Sequence, residues 1–519
     1  MTDGTVTRRA AVVALGTLAS RLLGALRDVV IAARFQSSAT DLFFIAFTIP
    51  NALRVLLGEG AASAAFVPVF SEVREKRGAE ASARFLQNIL GALLVVLAVV
   101  TALGILLAEP LVMLYTDRLD EDRLLQTVDL TRVTFPYIFF MGLAALGAGA
   151  LHAHGRFWAP SFAPTLLNFS LIGAAFWLEP FAKSWGLPAV GALAIGAIVG
   201  GLLQVVALAP SLRSVLLLRV PRFDVRDLYV QKSFALLIPL LAGLGVHQLN
   251  VLLSRRFASS LAAGSVSYLY YGQRLVELPQ GMFAMAISMA ALPTLSRLRS
   301  RGSDEAVRAV FMESLSMVLF VSIPASFALF TLAEPTVDVL LRRGEFGTHA
   351  ALETAKSLKV MSLGVWATAS ARTIVPLFHA YNDTRSPVVA AFVNLVVFVA
   401  AALLLMEHQG HVGIAVALTL ASGAQLLAYI FLLGRRNGSI PLRPLGAKVG
   451  RMVLASVAMT TLVLGLQEAF ERLLHWSANS VLSWTACVSV GMIGYLFFAG
   501  LLRCEELNTL RRIFGRYRT

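Results

Sequence analysis

The sequence predicts an all-α polytopic membrane protein, with fourteen transmembrane helices in two pseudo-symmetric six-helix lobes plus two C-terminal helices. Three observations lead to this prediction. The 519 residues are 57% apolar and 14% charged, with a mean hydropathy of +0.74, whereas soluble proteins carry about 25% charged residues. Apolar runs of about 20 residues, the length that crosses a bilayer, recur from end to end. Segments of the first half also recur in the second half.

Polar or basic loops separate the apolar runs along the chain. The first run is not a cleavable signal peptide, because Arg21, Arg27 and Asp28 interrupt it. The second continues past Gly58-Glu59-Gly60, which predicts a kink at that point. The predicted spans are residues 10–33, 40–68, 85–108, 131–152, 161–180, 188–209, 233–254, 264–295, 312–333, 357–380, 387–406, 412–433, 447–467 and 481–502.

An internal repeat organises these spans, because three segments of the first half align in order on segments of the second. The aligned pairs are 48–71 with 273–296, 152–168 with 379–394, and 190–201 with 412–423. Six spans separate the copies, so both copies have the same orientation. Transporters built from repeats bind substrate between them near the bilayer midplane. The predicted domains are an N-lobe at 1–215, a C-lobe at 216–440, and the last two spans with a cytoplasmic tail at 441–519.

The basic residues are distributed unevenly between the two sides of the membrane. The formal net charge is +14, and most of the 44 Lys and Arg residues fall in alternate loops. Basic loops mark the cytoplasmic side, so we expect both termini in the cytoplasm of a bacterial cell. Such loops also attract anionic headgroups, which makes membrane lipids expected partners. Nucleic acid is not an expected partner, since no basic–aromatic nucleic-acid motif is present.

Charged and polar side chains interrupt the first two spans, and this stretch is the predicted functional site. They are Ser20, Arg21, Arg27, Asp28, Asp41, Asn51, Arg54 and Glu59. An Arg near the bilayer centre costs roughly 2.5–3.5 kcal/mol. One interpretation is structural: Arg27 and Asp28 neutralise each other, and Arg54 extends to a membrane interface. The other is functional: the arginines line a water-filled cationic cavity that receives an anion.

The spacing of these residues relates them to helix faces. Asn51 and Arg54 are three apart and share a face, as do Arg21 and Asp28, which are seven apart. Glu59 lies among glycines, where it is either a protonation switch or a partner for an Arg.

No nucleophile–base pair and no phosphate-cradling Gly loop is present, so we expect no enzyme, no cofactor and no metal site.

Short motifs along the whole chain carry a family resemblance. In the first half they are Ser20-Arg21, Arg27-Asp28, Pro50-Asn51-x-x-Arg54 and Gly58-Glu59-Gly60-Ala61. In the second half they are Gly264-Ser265-Val266-Ser267, Arg274-Leu275, Leu278-Pro279, Leu292-Pro293, Arg343-Gly344-Glu345-Phe346 and Asn382-Asp383-Thr384. With these motifs the chain resembles the MurJ (MviN) lipid II flippases of the multidrug/oligosaccharidyl-lipid/polysaccharide (MOP) exporter superfamily.

The resemblance implies two lobes facing each other in a V and an alternating-access flippase in the bacterial inner membrane. Its substrate would be lipid II, the undecaprenyl-pyrophosphate-linked disaccharide pentapeptide, moved from the inner to the outer leaflet. The implied substrate-binding residues are Arg21, Arg27, Arg54, Arg274, Asn51 and Ser20, and the implied acidic or coupling residues are Asp28, Asp41 and Glu59. Cell-wall synthesis or division proteins are the implied protein partners. The residue before Arg274, often acidic in the family, is Gln273 here.

Two other functions are alternatives to lipid II transport. The first is export of another lipid-linked oligosaccharide, or of drugs, within the same superfamily, and an exporter of cationic drugs would need an acidic cavity. The second is a membrane transferase acting on polyprenyl phosphates, which would need a carboxylate-rich loop for magnesium. The excess of Arg over Asp and Glu in the first two spans favours an anionic substrate such as pyrophosphate, whose oxygens match the paired donors of Arg.

Overall fold

The structure is a computed structural model of the chain. It describes residues 3–56, 61–117, 119–213, 221–224, 226–280, 294–295, 297–381, 383–437, 442–473 and 480–509. Within these ranges it describes the side chains except those at 3–10, 61–64, 238–240, 242–244, 247, 436–437, 442–444 and 473.

Helices account for almost all of the described chain. In the first half they are α1 (Asp3–Arg34), α2 (Ser37–Arg54), α3 (Ala61–Leu106), α4 (Ala108–Tyr115), α5 (Glu121–Thr134), α6 (Pro136–Ala153), α7 (Trp158–Trp177), α8 (Glu179–Ser184) and α9 (Gly191–Arg213). In the second half they are α10 (Leu228–Ser259), α11 (Ser265–Pro279), α12 (Asp304–Thr331), α13 (Ala333–Leu341), α14 (Thr348–Ser362), α15 (Val365–Ala380), α16 (Arg385–Asn437), α17 (Leu442–Leu473) and α18 (Val481–Leu501). The all-α prediction is therefore confirmed.

Two of the longest helices each contain a sharp turn at a glycine. Gly78 interrupts α3 with φ +81° and ψ −175°, and Gly410 interrupts α16 with φ +57° and ψ −137°. Positive φ is accessible to glycine at little cost, so each glycine lets the chain reverse between two helical segments. The turn at Gly410 falls between the spans predicted at 387–406 and 412–433.

Many of the helices have the length and composition of membrane spans. Among the described residues, eight helices are long and apolar enough to cross a bilayer, or nine if α14 and α15, bent by 50°, form one broken span. The broken helices α3 and α16 are among the eight. The protein is thus a multi-pass membrane protein, while the count of fourteen spans stays a prediction. Helices α1 and α2 fall outside this set because of their charged and polar side chains.

The chain divides into two compact units. The first contains Met1–Ser267 and Arg343–Phe346, and the second contains Tyr268–Arg342 and Gly347–Thr519. The first unit includes α10, which packs against α2 and α3, although the repeat assigned this helix to the C-lobe. Compact units reflect contacts in one conformation, whereas the lobes were inferred from sequence duplication. The lobe boundaries therefore stay a prediction.

Each unit has its own apolar core. In the first unit, Phe66, Phe70 and Phe85 from the two segments of α3 are buried together with Leu146 of α6 and Val230 of α10. In the second, α12, α15, α16, α17 and α18 contribute to one larger cluster. Helix α1 lies along α7, where Gly16 is so close that a Cβ atom would lie 2.5 Å from the Ser161 carbonyl oxygen. This packing fixes the side of α1 that carries the predicted site.

Candidate functional site

Two neighbouring side chains anchor Arg27, one of the arginines of the predicted site. Its Nε and Nη2 atoms donate to Asp28 Oδ1 at 2.9 and 2.6 Å, and its Nη1 donates to Asn168 Oδ1 of α7 at 3.0 Å. Asp28 is buried, and the Arg27 side chain is 14% exposed. Both donors to Asp28 meet one oxygen, so this contact is not the two-oxygen fork that strengthens Arg–carboxylate pairs.

Asn168 connects this arginine to the backbone of α1. Its Nδ2 atom donates to the Ser20 carbonyl oxygen at 3.0 Å, while its Oδ1 atom accepts from Arg27. Asn168 therefore connects Ser20 with Arg27, and Arg27 in turn pairs with Asp28. Arg21, the next residue of α1, is half-buried. The structure thus joins three of the predicted residues through a fourth that the sequence analysis did not select.

Asn51 and Arg54 form a second group on α2. Arg54 Nε donates to Asn51 Oδ1 at 3.0 Å, and both residues are half-buried. The shared helix face predicted from their spacing is confirmed by this hydrogen bond. The amide oxygen orients the guanidinium without neutralising it, since Asn carries no charge. Glu59, predicted as an acidic coupling residue, lies outside the described residues.

Asp41 has a structural environment at the beginning of α11. Its Oδ2 atom accepts from the Gly264 backbone N–H at 2.6 Å, and its Oδ1 atom accepts from the Ser267 N–H at 2.8 Å and the Ser267 hydroxyl at 2.7 Å. The residue is 2% exposed, and Arg123 Nη2 lies 3.8 Å from Oδ2. A carboxylate at a helix N-terminus satisfies N–H groups that have no partner within the helix. These contacts identify Asp41 as a cap of α11, and its predicted coupling role remains a prediction.

We expect Asp41→Ala to destabilise the protein strongly, and Asp41→Asn to have an intermediate effect. Each buried donor left without a partner costs about 1–3 kcal/mol, and Ala leaves several, whereas Asn keeps one acceptor oxygen. Thermal unfolding of the purified variants in detergent measures the order. Asp129→Ala is the matched control, because Asp129 pairs with Arg132 at the surface. Unchanged unfolding of Asp41→Ala together with lost transport would contradict the capping role and favour coupling.

Arg274 lies in the second unit and has a different type of environment. Its Nη1 atom donates to Glu277 Oε2 at 2.9 Å, and its guanidinium lies over the Tyr270 ring, 5.0 Å from the centroid. The side chain is 44% exposed. Gln273 Nε2 also donates to Glu277, at 3.2 Å. The acid missing at position 273 is thus present one helical turn later.

Three residues that the structure links to the predicted site or its surroundings were not predicted from the sequence. They are Asn168, Glu277 and Arg255. Arg255 is 8% exposed and donates to the Val266 carbonyl oxygen at 3.0 Å, next to the residues that Asp41 caps. The role of Glu277 as a partner of Arg274 could have been predicted, because residues three apart are neighbours on a helix. Asn168 had a weaker signal, namely a polar residue inside an apolar run, and Arg255 had only its position directly after the span predicted at 233–254.

The described part of α1 and α2 carries an excess of positive charge. From residue 11 to residue 54, four arginines stand against Asp28 and Asp41. Outside this stretch, Glu179 of α8 pairs with Arg34 at 3.6 Å, and Arg123 lies beside Asp41. Among the described residues, no three His, Cys, Asp or Glu side chains are placed to hold a metal ion. The chemistry that this arrangement offers is recognition of an anion by guanidinium groups.

Comparison with known proteins identifies the family. The family model described as lipid II flippase MurJ matches residues 31–485. The chain belongs to the MurJ lipid II flippase family. A relative described as a probable lipid II flippase MurJ, from Bdellovibrio bacteriovorus, is 34% identical over 516 residues, which cover 98% of this chain and 97% of the relative.

Solved structures support the same fold. A lipid II flippase MurJ in an inward closed conformation matches with a TM-score of 0.79 and 24% identity, over 94% of this chain and 98% of that one. An inward-facing multidrug resistance MATE family transporter of the MOP superfamily matches with a TM-score of 0.68 and 16% identity, over 80% and 94%. The predicted family is therefore confirmed, and the chain is a multi-pass protein of the bacterial inner membrane. The roles of individual MurJ-type site residues stay predictions.

Proposed function

We propose that the chain moves lipid II from the inner to the outer leaflet of the cytoplasmic membrane by alternating access. The observation that carries the proposal is membership of the MurJ family over nearly the whole chain. The arginines of α1 and α2 supply the chemistry, because the pyrophosphate of lipid II requires positive hydrogen-bond donors. Proteins of this family are transporters, and we propose that this chain catalyses no covalent reaction.

The proposed pyrophosphate ligands are Arg21, Arg27, Arg54 and Arg274, with Asn51 and Ser20 as neutral neighbours. Arg27 donates two hydrogen bonds to Asp28 and one to Asn168. A pyrophosphate must therefore compete with Asp28 for the Arg27 guanidinium. Arg54 Nε donates to the uncharged amide of Asn51, which orients the guanidinium. Guanidinium–phosphate contacts are stronger in a low-dielectric site than in water, which offsets the cost of keeping arginines there.

The apolar exterior of α17 and α18 suits the prenyl tail of the same substrate. Large apolar side chains are exposed on both helices, among them Leu454, Leu464, Ile493 and Phe497. A long prenyl chain prefers such a surface to a polar cavity, since burial of apolar area is favourable. We therefore propose that α17 and α18 hold the tail while the arginines hold the pyrophosphate.

Export of another lipid-linked oligosaccharide, or of drugs, is the alternative within the superfamily. Structural likeness to a MATE transporter gives it some support. The excess of arginine in α1 and α2 opposes cationic drugs, which would be repelled by the same charges.

We also propose that both termini lie in the cytoplasm, since the basic loops follow the positive-inside rule, and that cell-wall synthesis or division proteins are partners.

Transport by the purified protein tests the proposed substrate. We expect proteoliposomes loaded with a fluorescent lipid II to expose it to a membrane-impermeant quencher faster than protein-free liposomes do. Arg21→Gln should slow this exposure at least tenfold, because it removes one proposed phosphate ligand. A fluorescent polyprenyl monophosphate sugar is the control, and faster transport of it than of lipid II would favour the alternative substrate.

A further inference from the structure

Four aromatic side chains are exposed side by side where α7 ends and α8 follows. Phe176 and Trp177 belong to the last turn of α7, Phe181 lies on α8, and Trp185 comes directly after α8. Their exposed fractions range from 48% to 73%, and the rings of Phe176 and Trp177 are 6.2 Å apart between centroids. We call these four residues the aromatic surface. Exposed apolar groups that adjoin one another mark a surface that another molecule covers.

Packing of α8 against α9 directs the rings outward. Ala182 of α8 is fully buried, and a Cβ atom at Gly191, the first residue of α9, would lie 3.6 Å from its Cβ atom. The Trp185 N–H donates to the Phe181 carbonyl oxygen at 3.1 Å. Residues four apart lie on the same side of a helix, so Phe181 and Trp185 share a side that α9 does not cover.

Charged side chains border the aromatic surface and connect it to α1. Arg34, the last residue of α1, donates from Nε to the Ala175 carbonyl oxygen at 3.3 Å. Its guanidinium lies over the Phe176 ring, 5.5 Å from the centroid, and its Nη2 atom lies 3.6 Å from Glu179 Oε2. Lys183 donates to the other oxygen of Glu179 at 2.8 Å. Apolar rings and charged groups thus alternate within one short stretch of surface.

We propose that the aromatic surface binds the headgroup region of a phospholipid leaflet and anchors the ends of α1 and α7 there. Tryptophan is enriched at membrane–water interfaces, because its ring is apolar and its N–H group is polar. The surface begins on the last turn of α7, which is itself long and apolar enough to cross a bilayer. Lipid therefore covers α7 up to the point where the surface begins. In the proposed topology this is the outer leaflet.

The length of α7 supports the assignment. The helix begins at Trp158 and ends at Trp177, and Trp158 is also largely exposed. Twenty residues rise about 30 Å, which equals the thickness of the hydrocarbon core, about 30 Å. Trp158 has an aromatic neighbour of its own, since its ring centroid lies 5.3 Å from that of Phe162. Each end of this span therefore carries aromatic side chains at the spacing of the two interfaces.

This anchoring sets the depth of the Arg27–Asn168 contact. Asn168 lies nine residues before Trp177 and ten residues after Trp158, so it is at the middle of α7. Counting along α1 agrees, because Arg27 lies seven residues before the anchored Arg34, a rise of about 10 Å. The hydrogen bond between Arg27 and Asn168 therefore lies near the bilayer midplane. This depth follows from the anchor and does not rest on the proposed transport.

Depth-dependent quenching of tryptophan fluorescence tests the proposal. The chain has six tryptophans, and variants of the full-length protein keep only Trp177 or only Trp185, with phenylalanine at the other five positions. Each is reconstituted in phosphatidylcholine vesicles whose acyl chains carry bromine either near the headgroup or near the chain end. We expect bromine near the headgroup to quench both tryptophans at least twofold more than bromine near the chain end. Iodide in the aqueous phase should quench them weakly.

Phe169→Trp in the tryptophan-free chain is the matched control for depth. Phe169 is exposed and lies next to Asn168 on α7, eight residues before Trp177. We expect the opposite preference here, with stronger quenching by bromine near the chain end. Equal preferences at positions 169 and 185 would overturn the anchor. Strong iodide quenching of Trp185 without lipid quenching would also overturn it, because the surface would then face water and suit a soluble partner.

A single substitution provides the same measurement if the variants with several replacements do not fold. The difference in quenching between wild type and Trp185→Phe isolates the signal of Trp185, and we expect that difference to be larger with bromine near the headgroup. A difference that is larger with bromine near the chain end, or absent with both lipids, would refute the anchor. None of these measurements requires transport, so failure of the anchor is distinct from failure of the proposed function.

Discussion

Arg54→Ala is expected to abolish growth of a flippase-depleted strain, and Arg54→Lys is expected to fail almost as severely. Lysine keeps the charge but loses the planar set of donors that matches two phosphate oxygens. Lysine also lacks the Nε–H group that donates to Asn51 Oδ1 in the structure. The lysine ammonium is therefore less well oriented than the guanidinium of Arg54. Complementation, read beside immunoblot levels of each variant, measures the effect.

Two other outcomes at this position would each remove one explanation. Full growth with Arg54→Lys at normal protein level would show that positive potential alone is needed and would exclude paired hydrogen bonds. A collapse of the protein level in both variants would show that Arg54 has a structural role. Asn51→Ala is the matched control for orientation, because it removes the Nε acceptor while leaving the guanidinium. We expect it to reduce growth without abolishing it.

Gly344→Ser is expected to destabilise the first unit by about 3 kcal/mol or more. Gly344 has φ +57°, and a Cβ atom would lie 2.1 Å from the Ala33 carbonyl oxygen at the end of α1. Left-handed backbone alone costs a side-chain-bearing residue roughly 1–2 kcal/mol. The Glu345 N–H donates to that same oxygen at 3.0 Å, so moving the backbone apart also sacrifices a hydrogen bond, worth about 1 kcal/mol.

Gly347→Ser provides the matched control three residues later. Gly347 precedes α14 with φ −72°, and no atom lies within 4 Å of where its Cβ would be. Serine is also a favourable residue at a helix N-terminus. We expect the thermal midpoint of Gly344→Ser to fall by about 5 °C or more, while that of Gly347→Ser stays near wild type. Equal midpoints for the two variants would contradict the close approach at Ala33.

The sequence predicted the features that depend on local pattern. Apolar runs predicted helices, and the three-residue spacing of Asn51 and Arg54 predicted a shared face that a hydrogen bond confirms. The turn between the spans at 387–406 and 412–433 also occurs where predicted, because glycine can adopt the required φ. These features are set by neighbours along the chain, which is the information that a single sequence contains.

The partners of the site residues depend on tertiary packing and could not be predicted in this way. Asn168 reaches Arg27 from a helix 141 residues later, and Gly264 reaches Asp41 from 223 residues later. No periodicity relates such residues. Asp41 illustrates the consequence: an acid inside an apolar run predicts a functional group, yet its observed contacts are those of a helix cap. The contact between Arg274 and Glu277 was predictable, because residues three apart lie on the same face of a helix.

The long separation between Arg27 and Asn168 has a consequence for biosynthesis. At about 5–20 residues per second, the ribosome adds Asn168 roughly 7–28 s after Arg27. During that interval α1 enters the membrane. Its Arg27 has no Asn168 to bond to, because α7 has not yet been synthesised. Asp28, made immediately afterwards, supplies the counter-charge within the same helix. The Arg27–Asp28 contact therefore allows a nascent helix to carry the charge of Arg27 into the membrane before Asn168 has been synthesised.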